Sequence, residues 1–397
     1  MVRITRTIWV LSIVSMFTDI ASEMLYPVMP VYLKSIGFSI VLIGVLEGLA
    51  EATAGLSKGY FGKWSDISGK RMPFVRIGYL MSGLSRPIIG LLTHPFWVFI
   101  ARTFDRFGKG VRTGARDAIL SDETTPENKG RIFGFHRSFD TLGAVIGPLL
   151  ALIYLYFYPG QYRNLFLIAF LPGILSFLAT YLIKEKPKSE VPKIDKVNLR
   201  DFFSYWKKGN PEYRKLLTGL LTFTLFNSSD VFLLLMAANS GVSDSSVIGL
   251  YIFYNLIYAL FSYPMGILAD RVGMKYMQIA GLLTFALVYL GMTMASTFPQ
   301  FIGLFFLYGL FSAMTEGNSK AWISNIAAKS DTATAIGTFA GFQSLCLLIS
   351  STVAGLIWNY YGPSFTFTLT AIMTVASALY LFILVPGPIN VDKNKSA

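Results

Sequence analysis

Gly62-Lys63-Trp64-Ser65-Asp66-Ile67-Ser68-Gly69-Lys70-Arg71 separates two long apolar runs. Its pattern, G-x-x-x-D-x-x-G-[RKM]-[RK], returns in the second half of the chain as Gly266-Ile267-Leu268-Ala269-Asp270-Arg271-Val272-Gly273-Met274-Lys275. The glycines allow a tight turn and close helix approach. The aspartate can sit at the N-terminus of the helix that follows, or pair with a basic neighbour. Two copies at equivalent places point to a chain made of two related halves.

Working outward from these loops, the flanking runs are long enough to cross a bilayer, which takes about 20 mostly apolar residues. Twelve such runs can be read, at about 7–33, 38–62, 74–93, 96–118, 132–157, 163–183, 213–237, 246–268, 274–296, 299–322, 334–358 and 363–385. The first has a basic start but no small-residue cleavage site, so it reads as an uncleaved span. Composition agrees. Of 397 residues, 53% are hydrophobic and only 14% are charged, about half the charge of a soluble domain. Lipid, not polar surface, must cover much of such a chain. The single cysteine, Cys346, excludes an internal disulfide, and two histidines make a His-built metal site untenable, so no metal ligands are assigned.

The net charge of +12 is explained by its distribution. Of the 34 Lys and Arg residues, all but Lys34, Arg86 and Arg163 fall in the termini, in alternate loops, or in helix ends leading to them. The positive-inside rule then puts both termini on the cytoplasmic side. The basic residues read as topology signals beside anionic lipid and not as a nucleic-acid surface. One long polar stretch, about 184–212, divides the spans six and six. The expected organisation is an N-terminal unit over 1–184, a cytoplasmic linker over 185–212, a C-terminal unit over 213–388 and a tail over 389–397.

The repeated loop, the six-and-six division and the cytoplasmic termini together resemble the major facilitator superfamily, and the likeness covers essentially the whole chain. Two further stretches are similar to its patterns. Arg102-Thr103-Phe104-Asp105-Arg106-Phe107-Gly108-Lys109-Gly110 overlays the family's R-x-x-Q-G-x-G-x-G helix, with charged residues in place of neutral ones. Gly143-Ala144-Val145-Ile146-Gly147-Pro148 resembles the G-x-x-x-G-P motif of antiporter members, without its trailing glycines. The resemblance implies an all-α membrane protein: twelve transmembrane helices in two six-helix bundles, related by a pseudo-two-fold axis, rocking around one central site. It also implies that the repeated loops act as a conformational latch, here Gly62, Asp66, Gly69, Arg71, Asp270 and Arg271, with Arg106, Arg112, Arg137 and Asp140 as further latch candidates.

Ionisable residues within the spans are costly there and so are functional candidates by default. Asp19 and Glu23 in the first span, and Glu47 and Glu51 in the second, stand four apart, hence on one helical face each. Paired carboxylates raise one another's proton affinity, so these four are the candidates for proton or ion coupling. They are also potential counter-ions for the basic fourth span. There Arg102, Asp105, Arg106, Lys109, Arg112 and Arg116 share a face, and Arg102 and Asp105, the deepest, are expected to face the cavity. Arg137 and Asp140, three apart, read as a pair, as do Glu316 and Lys320, four apart. Further cavity candidates are Tyr26, Asn227, Asp230, Tyr251, Tyr254, Asn255, Tyr258, Glu316 and Gln343.

No G-x-x-x-x-G-K-[ST] sequence occurs, so ATP does not drive this chain directly. No cofactor is expected, and a proton gradient supplies the work. The expected function is secondary transport in a cell inner (cytoplasmic) membrane by a monomer surrounded by lipid. Its partners are a small-molecule substrate and protons, with no nucleic acid and no enzymatic activity. Proton-coupled export of a small organic molecule is the leading expectation. Export of a metal ion or chelate, and uptake of an anionic metabolite, are the alternatives.

Overall fold

The computed structural model describes residues 4–386 apart from 27, 30–31, 34–35, 38–39, 186–204, 208, 228–229 and 243, and describes the backbone alone at 40–45, 47–48, 51–52, 231, 244–245 and 248. Most of the expected linker, the whole tail, and the side chains of Glu47 and Glu51 therefore lie outside the described residues. Thirteen α-helices of ten residues or more occur among the described residues. They are α1 (Arg6–Glu23), α2 (Ile40–Ser68), α3 (Met72–Leu91), α4 (Pro95–Asp122), α5 (Lys129–Phe157), α6 (Tyr162–Ala179), α7 (Pro211–Phe226), α8 (Asp230–Asn239), α9 (Asp244–Val272), α10 (Met274–Met292), α11 (Phe298–Ile326), α12 (Thr332–Tyr361) and α13 (Pro363–Leu384).

A helix lies at each of the twelve expected positions, with two departures. The first ends at Glu23 and gives way to a turn over Met24–Tyr26 instead of running to residue 33. The seventh is broken: α7 stops at Phe226, Asn227 is extended, and α8 begins at Asp230. Asn227 and Asp230 therefore stand at a helix end and a helix start. Among the described residues, seven segments are long and apolar enough to cross a membrane by length and composition: 129–157, 162–182, 249–272, 274–292, 298–326, 329–361 and 363–384. In α4 it is the row of charges that breaks the apolar run, and α7 is short, at 16 residues.

The two halves repeat each other in packing. Within α1–α6, α1 packs on α5 and α6, α4 on α2 and α3, and α3 on α6. Within the second half, α7 packs on α12 and α13, α11 on α9 and α10, and α10 on α13. Each pairing is the other's counterpart six spans on. Between the halves, α2 meets α12 and α5 meets α9, again as counterparts. Glycines permit both contacts. A Cβ on Gly62 would stand 2.5 Å from the Ala333 carbonyl oxygen, and one on Gly266 would collide with the Gly130 carbonyl. Small residues at such crossings let backbones approach where lipid offers no hydrophobic drive.

These crossings lie at one end of the molecule, with the loops after α2, α4, α9 and α11. Polar bonds tie that end together. Lys129 donates to the Ser324 carbonyl (2.7 Å), Asn210 to the Ile326 carbonyl (3.1 Å) and Lys275 to the Val385 carbonyl (2.7 Å). We call it the loop end.

Candidate functional site

A cavity of about 860 Å³ lies between the two halves, beyond the closed loop end. Its walls come mostly from the second half: α7 up to the break at Asn227, Asp230 and Leu234 of α8, the face of α9 carrying Tyr251, Tyr254 and Tyr258, and α10, α11 and α12. The first half contributes Tyr26, Arg137, Pro148 and Leu152. From Arg137, Glu316 and Lys320 near the loop end, the space extends toward Leu152, Val247 and Ser351 at the other. The volume lies within the range of small-molecule sites.

At the loop end, the two copies of the repeated loop make the same contact in mirrored directions. The Asp66 carboxylate accepts from the Thr334 backbone N–H (2.8 Å) and hydroxyl (3.0 Å) in the first turn of α12. The Asp270 carboxylate accepts from the backbone N–H groups of Gly130 (2.7 Å) and Arg131 (2.8 Å) in the first turn of α5. Each half thus caps a helix of the other, where unpaired N–H groups and the helix dipole favour a negative charge. This corrects the expectation that Asp66 serves the helix following its own loop. The basic neighbour is also present, because Arg71 donates to Asp66 (3.1 Å) and to Asp122. The second glycine of each copy, Gly69 (φ 65°) and Gly273 (φ 98°), takes the left-handed backbone that other residues rarely adopt. Arg271 is exposed and takes no part in the cap.

Between this seal and the cavity runs an ionic network. Asp117, fully buried on α4, accepts from Arg116 (2.9 and 3.0 Å) and from Lys320 of α11 (2.6 Å). Lys320 therefore reaches across to Asp117, not along its own helix to Glu316. Asp140 accepts from Arg137 (2.6 Å) and Ser15 (2.5 Å), and Arg116 stands 4.0 Å away. Arg137 continues to Tyr258 and, at 4.0 Å, to Glu316, so it bridges the halves. His136 lies buried beside Ser12.

The remaining candidates sort clearly. Tyr26, Asn227, Asp230, Tyr251, Tyr254, Tyr258, Glu316 and Gln343 line the cavity. Arg102 and Asp105 do not: they pair with each other at 3.6 Å within the first half. Asn255 does not either, because it turns back to donate to the Tyr251 carbonyl (3.0 Å) and is buried. Arg112 donates to Ser82 (2.6 Å) and stacks on Tyr79, and Arg106 is half-buried on the same helix. Asp19 and Glu23 lie off the cavity wall. Asp19 has Asp140, Glu23, Lys109 and Arg137 as charged neighbours, and Glu23 has Lys109 and Arg106.

Sequence reasoning missed Tyr308, whose hydroxyl donates to Asp230 at 2.5 Å, and the lining residues Phe223 and Gln278. Tyr308 stands eight residues before Glu316, on the same helix, and that spacing was the available signal.

Two repeated sets of helices around one closed-ended cavity define a membrane carrier. The Major Facilitator Superfamily model matches residues 11–237 and 216–397. An uncharacterised MFS-type transporter of Methanocaldococcus jannaschii is 33% identical, over 96% of both chains. The staphyloferrin B transporter of Staphylococcus aureus is 23% identical, over 95% of this chain and 91% of its own. Among solved structures, the human organic anion transporter TETRAN superposes with a TM-score of 0.78 at 17% identity, covering 95% of this chain and 99% of its own. The chain belongs to the Major Facilitator Superfamily, and is a membrane transporter, not an enzyme.

Proposed function

We propose that the protein is a proton-coupled antiporter exporting a small organic molecule across a cytoplasmic membrane by alternating access. In this reading 1–184 and 213–388 form the two rocking bundles, and the termini and linker face the cytoplasm. The observation that carries it is the cavity closed at the loop end by the mirrored Asp66 and Asp270 caps. That is one half of an alternating-access cycle, with the cavity directed away from the cytoplasm. Coupling is assigned to Asp19 and Glu23, with Glu47 and Glu51 as further candidates. Asp19 has Asp140 and Arg137 as charged neighbours, and Arg137 lines the cavity, so a proton arriving there changes the charge balance of a residue that bridges the halves.

The uptake alternative rested on arginines of the fourth span steering an anionic metabolite, and the burial of Arg102, Arg112 and Arg116 gives it less support than export. A second reading, transport of a metal chelate, draws on the staphyloferrin B transporter among the relatives.

The test is transport in proteoliposomes, with a substrate found by a thermal-shift screen of metabolites, drugs and chelates. Substrate movement should drive opposite proton movement, and Asp19→Asn or Glu23→Gln should abolish that coupling. Substrate accumulation along an inward proton gradient overturns the export reading. Full coupling in all four carboxylate variants overturns the proton assignment.

A further inference from the structure

We propose that the cavity selects organic cations, holding an ammonium group against Asp230 and Asn227 at the break in the seventh span and an apolar body against the tyrosine wall. The inference rests on the cavity being the substrate site. It begins with the charges that line that cavity: Arg137, Lys320, Asp230 and Glu316.

The two basic residues are already committed. Lys320 is bonded to the buried Asp117 at 2.6 Å. Arg137 is bonded to Asp140 at 2.6 Å and to the Tyr258 hydroxyl. An incoming anion would have to displace one of these carboxylates. The acidic residues are placed differently. Glu316 has its side chain 43% exposed and only a distant contact with Arg137, at 4.0 Å.

Asp230 has no basic partner among the described residues. Its carboxylate accepts from the hydroxyls of Tyr308 (2.5 Å) and Tyr254 (3.4 Å). An ionised carboxylate offers about four acceptor sites, so two hydroxyls leave capacity open. Three residues before Asp230, the buried Oδ1 of Asn227, which also lines the cavity, has no hydrogen-bond partner. Such an orphaned acceptor calls for a donor.

The cavity wall at the break therefore carries an anionic acceptor at Asp230 and an unpaired neutral acceptor at Asn227, a pairing that suits a donor-bearing cation. Around it stand aromatic rings. Tyr254 is 5.1 Å from Tyr308 and 5.9 Å from Tyr251, centroid to centroid. Ring faces attract a desolvated cation and pack its apolar body. A bare metal ion would leave most of the 860 Å³ unfilled.

The experiment is equilibrium binding to the purified full chain in nanodiscs, with three probes of one fluorophore. Dansylcadaverine carries a primary amine, its N-acetyl derivative is neutral, and dansyl-6-aminohexanoate is an anion of similar length. The amine should bind about tenfold or more tightly than either analogue. Asp230→Asn should weaken the amine by about tenfold and bring it level with the acetyl derivative. The probe series on the unaltered protein decides the matter even where Asp230→Asn does not fold. Equal binding of all three, tighter binding of the carboxylate, or unchanged amine binding in a folded Asp230→Asn protein overturns the proposal. Binding needs no transport. An amine that binds through Asp230 but is never moved in proteoliposomes leaves this inference standing and counts against the export reading alone.

Discussion

The two halves share a packing plan but use charge in opposite ways. In the first half, α4 alone carries eight charged residues, and those whose bonds are seen are tied into the protein. Arg116 holds Asp117, Arg102 holds Asp105, and Arg112 is bonded to Ser82. In the second half, α8 carries one charged residue, Asp230, and it faces the cavity. Inside a membrane protein a crowd of charges marks internal cross-linking, because each charge needs a partner within reach. A solitary one marks a place where the partner arrives from outside. The cavity is accordingly built from the charge-poor half.

The sharpest way to break this comparison is to unbalance the charge-rich side. Asp117→Asn leaves Arg116 and Lys320 without their shared carboxylate, and losing one member of a buried pair costs about 3–5 kcal/mol. Thermal unfolding of the purified protein should register a loss of that order. Adding Lys320→Met should recover part of it, because the second uncompensated charge is then gone. Glu316→Gln, on the half-exposed carboxylate 4.0 Å from Arg137, should cost under about 1 kcal/mol. Equal losses for Asp117→Asn and Glu316→Gln would erase the distinction between the halves.

A smaller effect tests the crossings. Gly266→Val puts a side chain where the Gly130 carbonyl lies, and Gly62→Val does the same against Ala333. Overpacking of this kind costs about 1–3 kcal/mol. It falls on the state closed at the loop end, so the closed population should drop. Spin labels at the exposed Glu127 and Lys329, one on each half, should report a longer distance in both variants. An unchanged distance would mean that these crossings do not hold the loop end shut.

Much of this architecture is legible in the sequence because it is periodic or repeated. Apolar runs and the duplicated loop lead to the helix positions and the family. The partners of the loop are not legible. Asp66 caps α12 from 268 residues away and Asp270 caps α5 from 140 residues away, and nothing local to either loop points there. The cavity divides in the same way. Tyr251, Tyr254 and Tyr258 share a helical face, and that periodicity is readable. Asn255 shares the face in sequence terms, yet its amide bonds to the Tyr251 carbonyl instead. Arg102 and Asp105 mislead because depth along a helix says nothing of which side of the bundle it faces. The break at Asn227 carries neither glycine nor proline, and its signal in the sequence is the polar run Asn227-Ser228-Ser229-Asp230 inside an apolar span.

The mirrored caps allow a finer test. Removing a capping carboxylate costs about 0.5–2 kcal/mol. Asp66→Asn should sit higher in that range than Asp270→Asn, because Asp66 also anchors the buried Arg71, whereas Arg271 is exposed. The same spin-label pair should therefore show more opening for Asp66→Asn. A reversed order would mean that the Arg71 bond adds nothing to closure.

The smallest expected effect lies where the sequence placed the strongest expectation. Arg102 and Asp105 pair at 3.6 Å on α4 and are not among the residues that line the cavity. Replacing both, Arg102→Gln with Asp105→Asn, removes a cation and an anion together and leaves the net charge unchanged. The affinity for dansylcadaverine should stay within about twofold, as for substitutions remote from a site. A tenfold loss in a protein of unchanged thermal stability would place the charged face of α4 in contact with the ligand and overturn the division of labour between the halves. Changed stability with unchanged affinity is what the division requires, since this pair lies within α4 of the first half and the ligand is proposed to be held by the second.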